Sequence, residues 1–313
     1  MPVSDLLENP KAGRVRAVAA LAKKDVRADT GLFLLEGPQA VREALEYRPE
    51  LLRELYVTPT AAARYALDDA PVDTWFVTEQ VLDTMADTVT PQGVVAVCQQ
   101  FPTSVRSVFP DPGADGLEAR GDSGADGLEA RGDSGSDGLE ARGDSGAEGS
   151  LPGLVAILEQ VRDPGNAGTI IRAADSAGAD AVVLTGRSVD PYNPKVVRST
   201  TGSLFHVPVS VGVTLDDAVA RAKALGYTVL AADVSGDDLP EVRADGMLDG
   251  PTAWVFGNEA RGLTDEDLAL VDRAVKVPIY GQAESMNLAT AASVCLYESA
   301  FAQRAAARSS TAD

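Results

Sequence analysis

Apolar residues along this chain fall into short, near-continuous runs separated by polar stretches of helical period, and the pattern occurs twice. Residues 32–36, 55–58, 75–78 and 93–99 are rich in leucine, β-branched and aromatic side chains and predict strands. Between them, 38–47, with a proline at its first turn, 61–67 and 79–86 predict helices. Residues 31–101 therefore read as a small α/β unit. The alternation resumes with strands expected at 154–160, 181–185, 207–211, 228–232, 253–256 and 275–279. Strands apolar on both faces, alternating with helices, require a mostly parallel sheet covered on both sides.

The stretch between the two patterns is different in kind. Residues 102–152 shift to Gly, Asp, Ser, Ala and Pro, and an 11-residue unit starts at Gly113, again at Gly124 and again at Gly135. Each copy has one leucine and no aromatic residue, so stacked copies would bury too little apolar surface to offset the entropy of ordering them. A disordered acidic linker is expected there, with its Arg-Gly-Asp triplets a by-product of the repeat. The organisation expected is a basic arm over residues 1–30, the α/β unit over 31–101, the linker over 102–152, a larger domain over 153–305 and a tail over 306–313.

Charge and composition narrow the function. The formal charge of -20 argues against a broadly phosphate-binding surface, but ten acids against three arginines lie within 113–149. The arm carries Lys11, Arg14, Arg16, Lys23 and Lys24 with no acid between residues 10 and 24. Such a run is either a local phosphate contact or a solvated helix face. No apolar run approaches the roughly 18 to 20 residues of a spanning helix, and the apolar stretch 17–22 is too short for a signal-peptide core. Cytoplasmic residence without membrane contact is expected. Two cysteines, Cys98 and Cys295, with one histidine, His206, cannot supply the usual zinc sets. No metal is expected, the cysteines read as buried free thiols, and His206 reads as a packing residue at a strand entering a core.

Parallel sheets bind ligands beyond the carboxyl ends of their strands, and three loops there are unusual. The first runs from Asp163 to Gly168, with Asn166 placed to cap the next helix, Gly168 to permit close approach, and Arg172 about one turn further on. A plain cap with a surface pair between Arg172 and Asp175 explains the same residues. The second contains Gly257, Asn258, Glu259 and Gly262, ahead of a helix capped by Thr264; an ordinary strand-to-helix turn is its alternative. The third passes Tyr280 and Gly281 to Ser285, Met286, Asn287 and Leu288, where capping again suffices. None has the spacing of a dinucleotide or P-loop phosphate cradle, which sets a dehydrogenase-like enzyme well behind.

Taken in order, Asn166-x-Gly168-x-x-x-Arg172, Gly257-Asn258-Glu259-x-x-Gly262, and Val277-Pro278-Ile279 through Ser285-x-Asn287-x-Ala289 resemble the three signatures of the SpoU, or TrmH-like, RNA 2'-O-ribose methyltransferases of the SPOUT class. Phe33-Leu34-Leu35-Glu36-Gly37 is similar to the opening of the ribosomal-protein-like RNA-binding domain that precedes the catalytic domain in many members. The resemblance implies a C-terminal trefoil knot, an active site at a homodimer interface and S-adenosyl-L-methionine as methyl donor. It implies that Gly257, Asn258, Gly262, Ile279, Gly281, Met286 and Leu288 hold the donor. Asn166, Arg172, Glu259, Ser285 and Asn287 then line the reacting side, Arg172 as a perturbed base or as a clamp on a phosphate. A structured RNA is the implied substrate, with 23S ribosomal RNA preferred; transfer RNA, or RNA binding without catalysis, are the alternatives.

Overall fold

The computed structural model describes residues 6–67, 70–111 and 153–310, so the repeats lie outside the described residues. The first unit contains α1 (Gly13–Ala20), α2 (Lys24–Thr30), β1 (Leu32–Glu36), α3 (Pro38–Tyr47), β2 (Leu52–Val57), α4 (Pro59–Tyr65), β3 (Asp73–Phe76), α5 (Glu79–Met85) and β4 (Val94–Gln99). Its sheet has the order β1-β4-β2-β3, antiparallel around β4 and parallel between β2 and β3. Helices α1 and α2 occupy the segment expected to be a basic arm. Val15, Val18 and Leu21 are buried with Leu34, Tyr56 and Val81 against one face of this sheet, while Lys11, Arg16, Lys23 and Lys24 stay exposed.

Residues 102–111, expected to open the linker, pack instead on the second unit. Thr103 N–H donates to the Val209 carbonyl at 2.9 Å, α6 (Val105–Val108) follows, and Phe109 is buried edge-on to Tyr227.

The second unit contains β5 (Leu154–Glu159), α7 (Pro164–Ala177), β6 (Ala181–Thr185), α8 (Pro194–Thr200), β7 (Val209–Val213), α9 (Leu215–Ala224), β8 (Thr228–Asp238), α10 (Leu239–Ala244), β9 (Thr252–Phe256), α11 (Asp265–Leu270), β10 (Arg273–Lys276) and α12 (Leu288–Ser310). All six strands pair in parallel in the order β10-β8-β9-β5-β6-β7. Every residue of the central strands β5 and β9 is buried, as their continuous apolar runs require.

Several boundaries differ from expectation for local reasons. Asp163, not Asn166, caps α7: its carboxylate accepts the Asn166 N–H at 2.8 Å, and Pro164 occupies the first helical position. The approach to β7 is a tight turn over Ser203–Phe205, so the strand starts at Val209. Strand β10 stops at Lys276, shortly before Pro278, which has no N–H to give a ladder. Helix α12 runs on to Ser310, through most of the expected tail. The Trp254 indole N–H donates to Ser299 at 2.8 Å and ties α12 to β9.

The two units share one apolar cluster. Phe33 and Phe101 meet Tyr192 and Phe205, with ring centroids 5.0 Å apart for Phe33 and Tyr192 and 5.7 Å for Phe101 and Phe205. Polar ties surround them. Arg27 binds Asp190, Arg198 binds Glu36 and Asp87, and His206 lies between Asp175 at 2.9 Å and Glu43 at 3.2 Å. His206 is thus a packing residue that also joins the units, and its bond takes the Asp175 carboxylate that a surface pair with Arg172 would have used.

Candidate active site at the carboxyl ends of β5, β9 and β10

Three loops converge where β5, β9 and β10 end, and side-chain hydrogen bonds lace them together. Glu259, in the loop after β9, spreads its carboxylate over the loop after β5: one oxygen accepts the Arg162 N–H at 3.2 Å and the other the Asp163 N–H at 2.9 Å. The second oxygen also accepts from the Asn166 amide at 3.4 Å. The Asn287 amide donates to the Asn166 carbonyl oxygen at 3.0 Å, while the Asn287 oxygen caps α12 by accepting the Thr290 N–H at 3.2 Å. Asn166 is therefore held from both sides, its amide fixed by Glu259 and its oxygen by Asn287. A helix cap alone needs only the last of these contacts, so capping leaves most of them unexplained.

The glycines act through the backbone. A Cβ on Gly257 would lie 2.8 Å from the Gly262 carbonyl carbon and 2.9 Å from the Leu263 nitrogen, so the turn closes only with glycine there. Gly262 has φ +68, a region that side chains disfavour. Asn258 holds the turn: its amide donates to the Gln160 carbonyl at 2.8 Å, and its oxygen accepts the N–H groups of Ala260 and Arg261. Thr264 caps α11 in a reciprocal box with Asp267. Gly168 lies away from the loops, at the crossing of α7 and α8, where a Cβ would meet the Val196 carbonyl at 2.6 Å.

The remaining expected residues surround this network without joining it. Ser285 and Gly281 are exposed in the third loop, Leu288 is half-buried at the start of α12, and Ile279 and Met286 are 38% and 37% exposed. Arg172 faces a different direction along α7, donating from Nη1 to the Thr201 hydroxyl at 3.3 Å. Among the described residues no carboxylate lies within ion-pair distance of its guanidinium. Asp163 and Thr201 were not anticipated. The Asp163-Pro164 pair is a readable cap signal, whereas Thr201 approaches Arg172 only through the packing of α7 on α8.

Both cysteines are free and buried. Burial pushes the Cys295 thiol up to about 12, and raises that of Cys98 further. Among the described residues, no three or more His, Cys, Asp or Glu side chains are grouped to hold a metal ion, and no helix is long and apolar enough to cross a membrane.

Comparison with known proteins agrees with this geometry. Residues 153–297 match the SpoU rRNA Methylase family, and residues 34–104 match the family described as RNA 2'-O ribose methyltransferase substrate binding. The 23S rRNA (guanosine(2553)-2'-O)-methyltransferase RlmP of Bacillus subtilis is 30% identical over 292 residues, which is 93% of this chain and 97% of that protein. An AdoMet-bound rRNA methyltransferase from Sinorhizobium meliloti superposes with a TM-score of 0.71 at 26% identity, over 95% of this chain and 97% of that one. The SpoU methyltransferase AviRb from Streptomyces viridochromogenes, in complex with AdoMet, does so with a TM-score of 0.70 at 26% identity, over 94% and 99%. With both sheets, all three loops and nearly the full length accounted for, the chain belongs to the SpoU rRNA methylase family.

Proposed function

We propose that this protein transfers a methyl group from S-adenosylmethionine to a ribose 2'-hydroxyl of RNA, with 23S ribosomal RNA as the substrate. The observation that carries the reading is the network of Glu259, Asn166 and Asn287, which joins three loops at the carboxyl ends of parallel strands. Full-length similarity to a 23S rRNA methyltransferase favours ribosomal over transfer RNA.

The residues present fit the donor. The turn from Gly257 to Leu263 presents backbone groups in a space no side chain at 257 could share, and Ile279, Met286 and Leu288 supply apolar surface nearby. Gly257, Asn258, Gly262 and Gly281 belong to the same wall. Bound there, S-adenosylmethionine supplies a methyl group already activated by its sulfonium. The protein then has to align the 2'-oxygen and exclude competing geometries. Asn166, Ser285 and Asn287 are the polar groups that orient the ribose, and Glu259 fixes Asn166 and the backbone beneath it.

Arg172 acts as an electrostatic clamp on a substrate phosphate. Its guanidinium is exposed and has a hydroxyl rather than a carboxylate as neighbour, so its charge is free for an anion. Residues 31–101 form the RNA-binding domain and 153–305 the transferase domain. The exposed basic side chains of Lys11, Arg16, Lys23 and Lys24, on and around α1 and α2, add phosphate contacts.

The protein works in the cytoplasm as a homodimer, using the adjacent and exposed Tyr297 and Phe301 of α12 as apolar interface. The trefoil path belongs to the same reading: the chain leaves the sheet edge at β10 and returns as α12 against α7 and β9. The test is transfer of labelled methyl from the donor to RNA isolated from cells lacking the protein. Label on a ribose is expected, with Arg172→Ala losing at least about 100-fold in kcat/KM, in line with the loss of a positioned charge at a reacting group. Full methylation by Arg172→Ala with intact donor binding would remove Arg172 from the chemistry.

A further inference from the structure

A cleft of about 330 Å³ opens where the two units meet, apart from the three loops. Its walls are the start of α3 with Gly37 and Gln39, the loop carrying Thr90 and Gln92, and the end of α8 with Arg198 and Thr201. The floor is Glu36, whose buried carboxylate accepts the N–H groups of Asp87 at 2.9 Å and Thr88 at 3.1 Å and pairs with Arg198 at 3.2 Å. Arg198 also binds the Asp87 carboxylate at 3.1 Å.

One cation set against two carboxylates gives the cleft no attraction for a phosphate. A neutral, hydrogen-bonding ligand suits it better. The first turn of α3 has no side-chain cap and opens on Pro38, which has no N–H, so the N–H groups of Gln39 and Ala40 are the ones that need partners from outside the helix. The Gln92 amide and the Thr90 hydroxyl lie on the exposed rim. The volume is within the range of about 300 to 1,000 Å³ usual for small-ligand sites, ample for a planar base with donors and acceptors on its edge.

Thr201 connects this cleft to the candidate active site. It lines the cleft and also accepts the hydrogen bond from Arg172 at 3.3 Å. Proteins that read RNA by sequence do so mainly through unpaired bases splayed out of the strand. Resting on the methyltransferase reading above, we propose that the cleft takes one unpaired nucleobase of the RNA, a neighbour of the methylated nucleotide, and thereby selects which ribose reaches Arg172. Gln92 and the start of α3 are the specificity-determining groups, and neither belongs to the transfer machinery.

Two variants and a crosslink test this. Gln92→Ala removes one amide, and Thr90→Trp fills the cleft from an exposed loop position. Both are assayed with RNA from cells lacking the protein, reading KM for RNA, kcat, donor affinity by calorimetry and the position of the methylated ribose. Gln92→Ala is expected to raise KM about tenfold, the scale of one lost hydrogen bond to a ligand, with kcat and donor affinity unchanged. Thr90→Trp is expected to raise it further or to spread methylation to adjacent riboses. Wild-type KM and an unchanged position in both variants overturn the cleft while leaving the methyltransferase intact. A photo-crosslinking residue in place of Gln92 gives a readout that needs no turnover: attachment to one nucleotide of the bound RNA supports the cleft, and attachment to a second copy of the chain, or to none, overturns it. Absence of methyl transfer by the wild-type protein sinks the parent reading, and the crosslink still decides the cleft.

Discussion

The two oxygens of Glu259 divide three donors between them, the Arg162 and Asp163 N–H groups and the Asn166 amide. A glutamine at 259 would keep the shape and turn one oxygen into a donor, setting N–H against N–H at either the Arg162 or the Asp163 backbone. Glu259→Gln is therefore expected to loosen the first loop and misplace Asn166, lowering kcat/KM about tenfold or more, as one unsatisfied or repelled polar group costs about 1–3 kcal/mol. Stability should change little, because the loop is exposed. Steady-state transfer kinetics with a thermal melt beside them check this; full activity in Glu259→Gln would show that the carboxylate does not organise the site. The charge at 259 thus acts through Asn166, whereas Arg172, two turns along α7, keeps its charge for the RNA.

Helix α7 meets these loops at its amino end and crosses α8 at Gly168, whose absent side chain lets the Val196 carbonyl and Ser199 approach. Gly168→Ala is expected to force the two helices apart and to cost about 1–3 kcal/mol, the usual penalty of overpacking. Gly281→Ala, in open space, should fall within about 0.5 kcal/mol of wild type. Urea unfolding separates them: a lower midpoint with an unchanged slope is expected for the first alone, and an unperturbed Gly168→Ala would mean that the crossing is looser than its geometry. At this scale much was readable beforehand. Helix α3 and strands β1 and β6 coincide with their apolar runs because proline, glycine or a polar turn bounds each of them. The apolar pattern places strand β10 too late because Val277 and Ile279 extend it past the point where Pro278 ends pairing. Asp163 and Asn166, two polar residues three apart, both suit the cap of α7; the proline after Asp163 is the signal that chooses between them. The site loops were legible as motifs, but the bonds from Glu259 to residues 162, 163 and 166 span more than 90 residues and leave no periodic trace.

What no pattern foretold is how the two units are joined. Arg27 lies in the stretch expected to be a basic arm, yet it is 1% exposed. Its Nε and Nη2 donate to the Asp190 carboxylate at 2.9 and 2.6 Å, and its Nη1 donates to the carbonyls of Leu21 at 2.9 Å and Ala22 at 2.8 Å. One side chain thus fixes the turn between α1 and α2 and ties it to the loop after β6. Replacing it by alanine leaves a largely buried carboxylate with only the Tyr192 N–H as donor and takes the Arg27 donor from two carbonyls, a change that typically costs about 3–5 kcal/mol when one member of a buried pair is removed. The cost should be shared with Asp190, so Arg27→Ala together with Asp190→Ala is expected to recover part of it in a double-mutant cycle. A cleft closed by both units also depends on this tie. Arg27→Ala should therefore bind donor normally, since the three loops lie within the second unit, while KM for RNA rises. Equal loss of donor and RNA affinity would instead place the damage in the transferase sheet itself, and would mean that the two units do not divide recognition and chemistry between them.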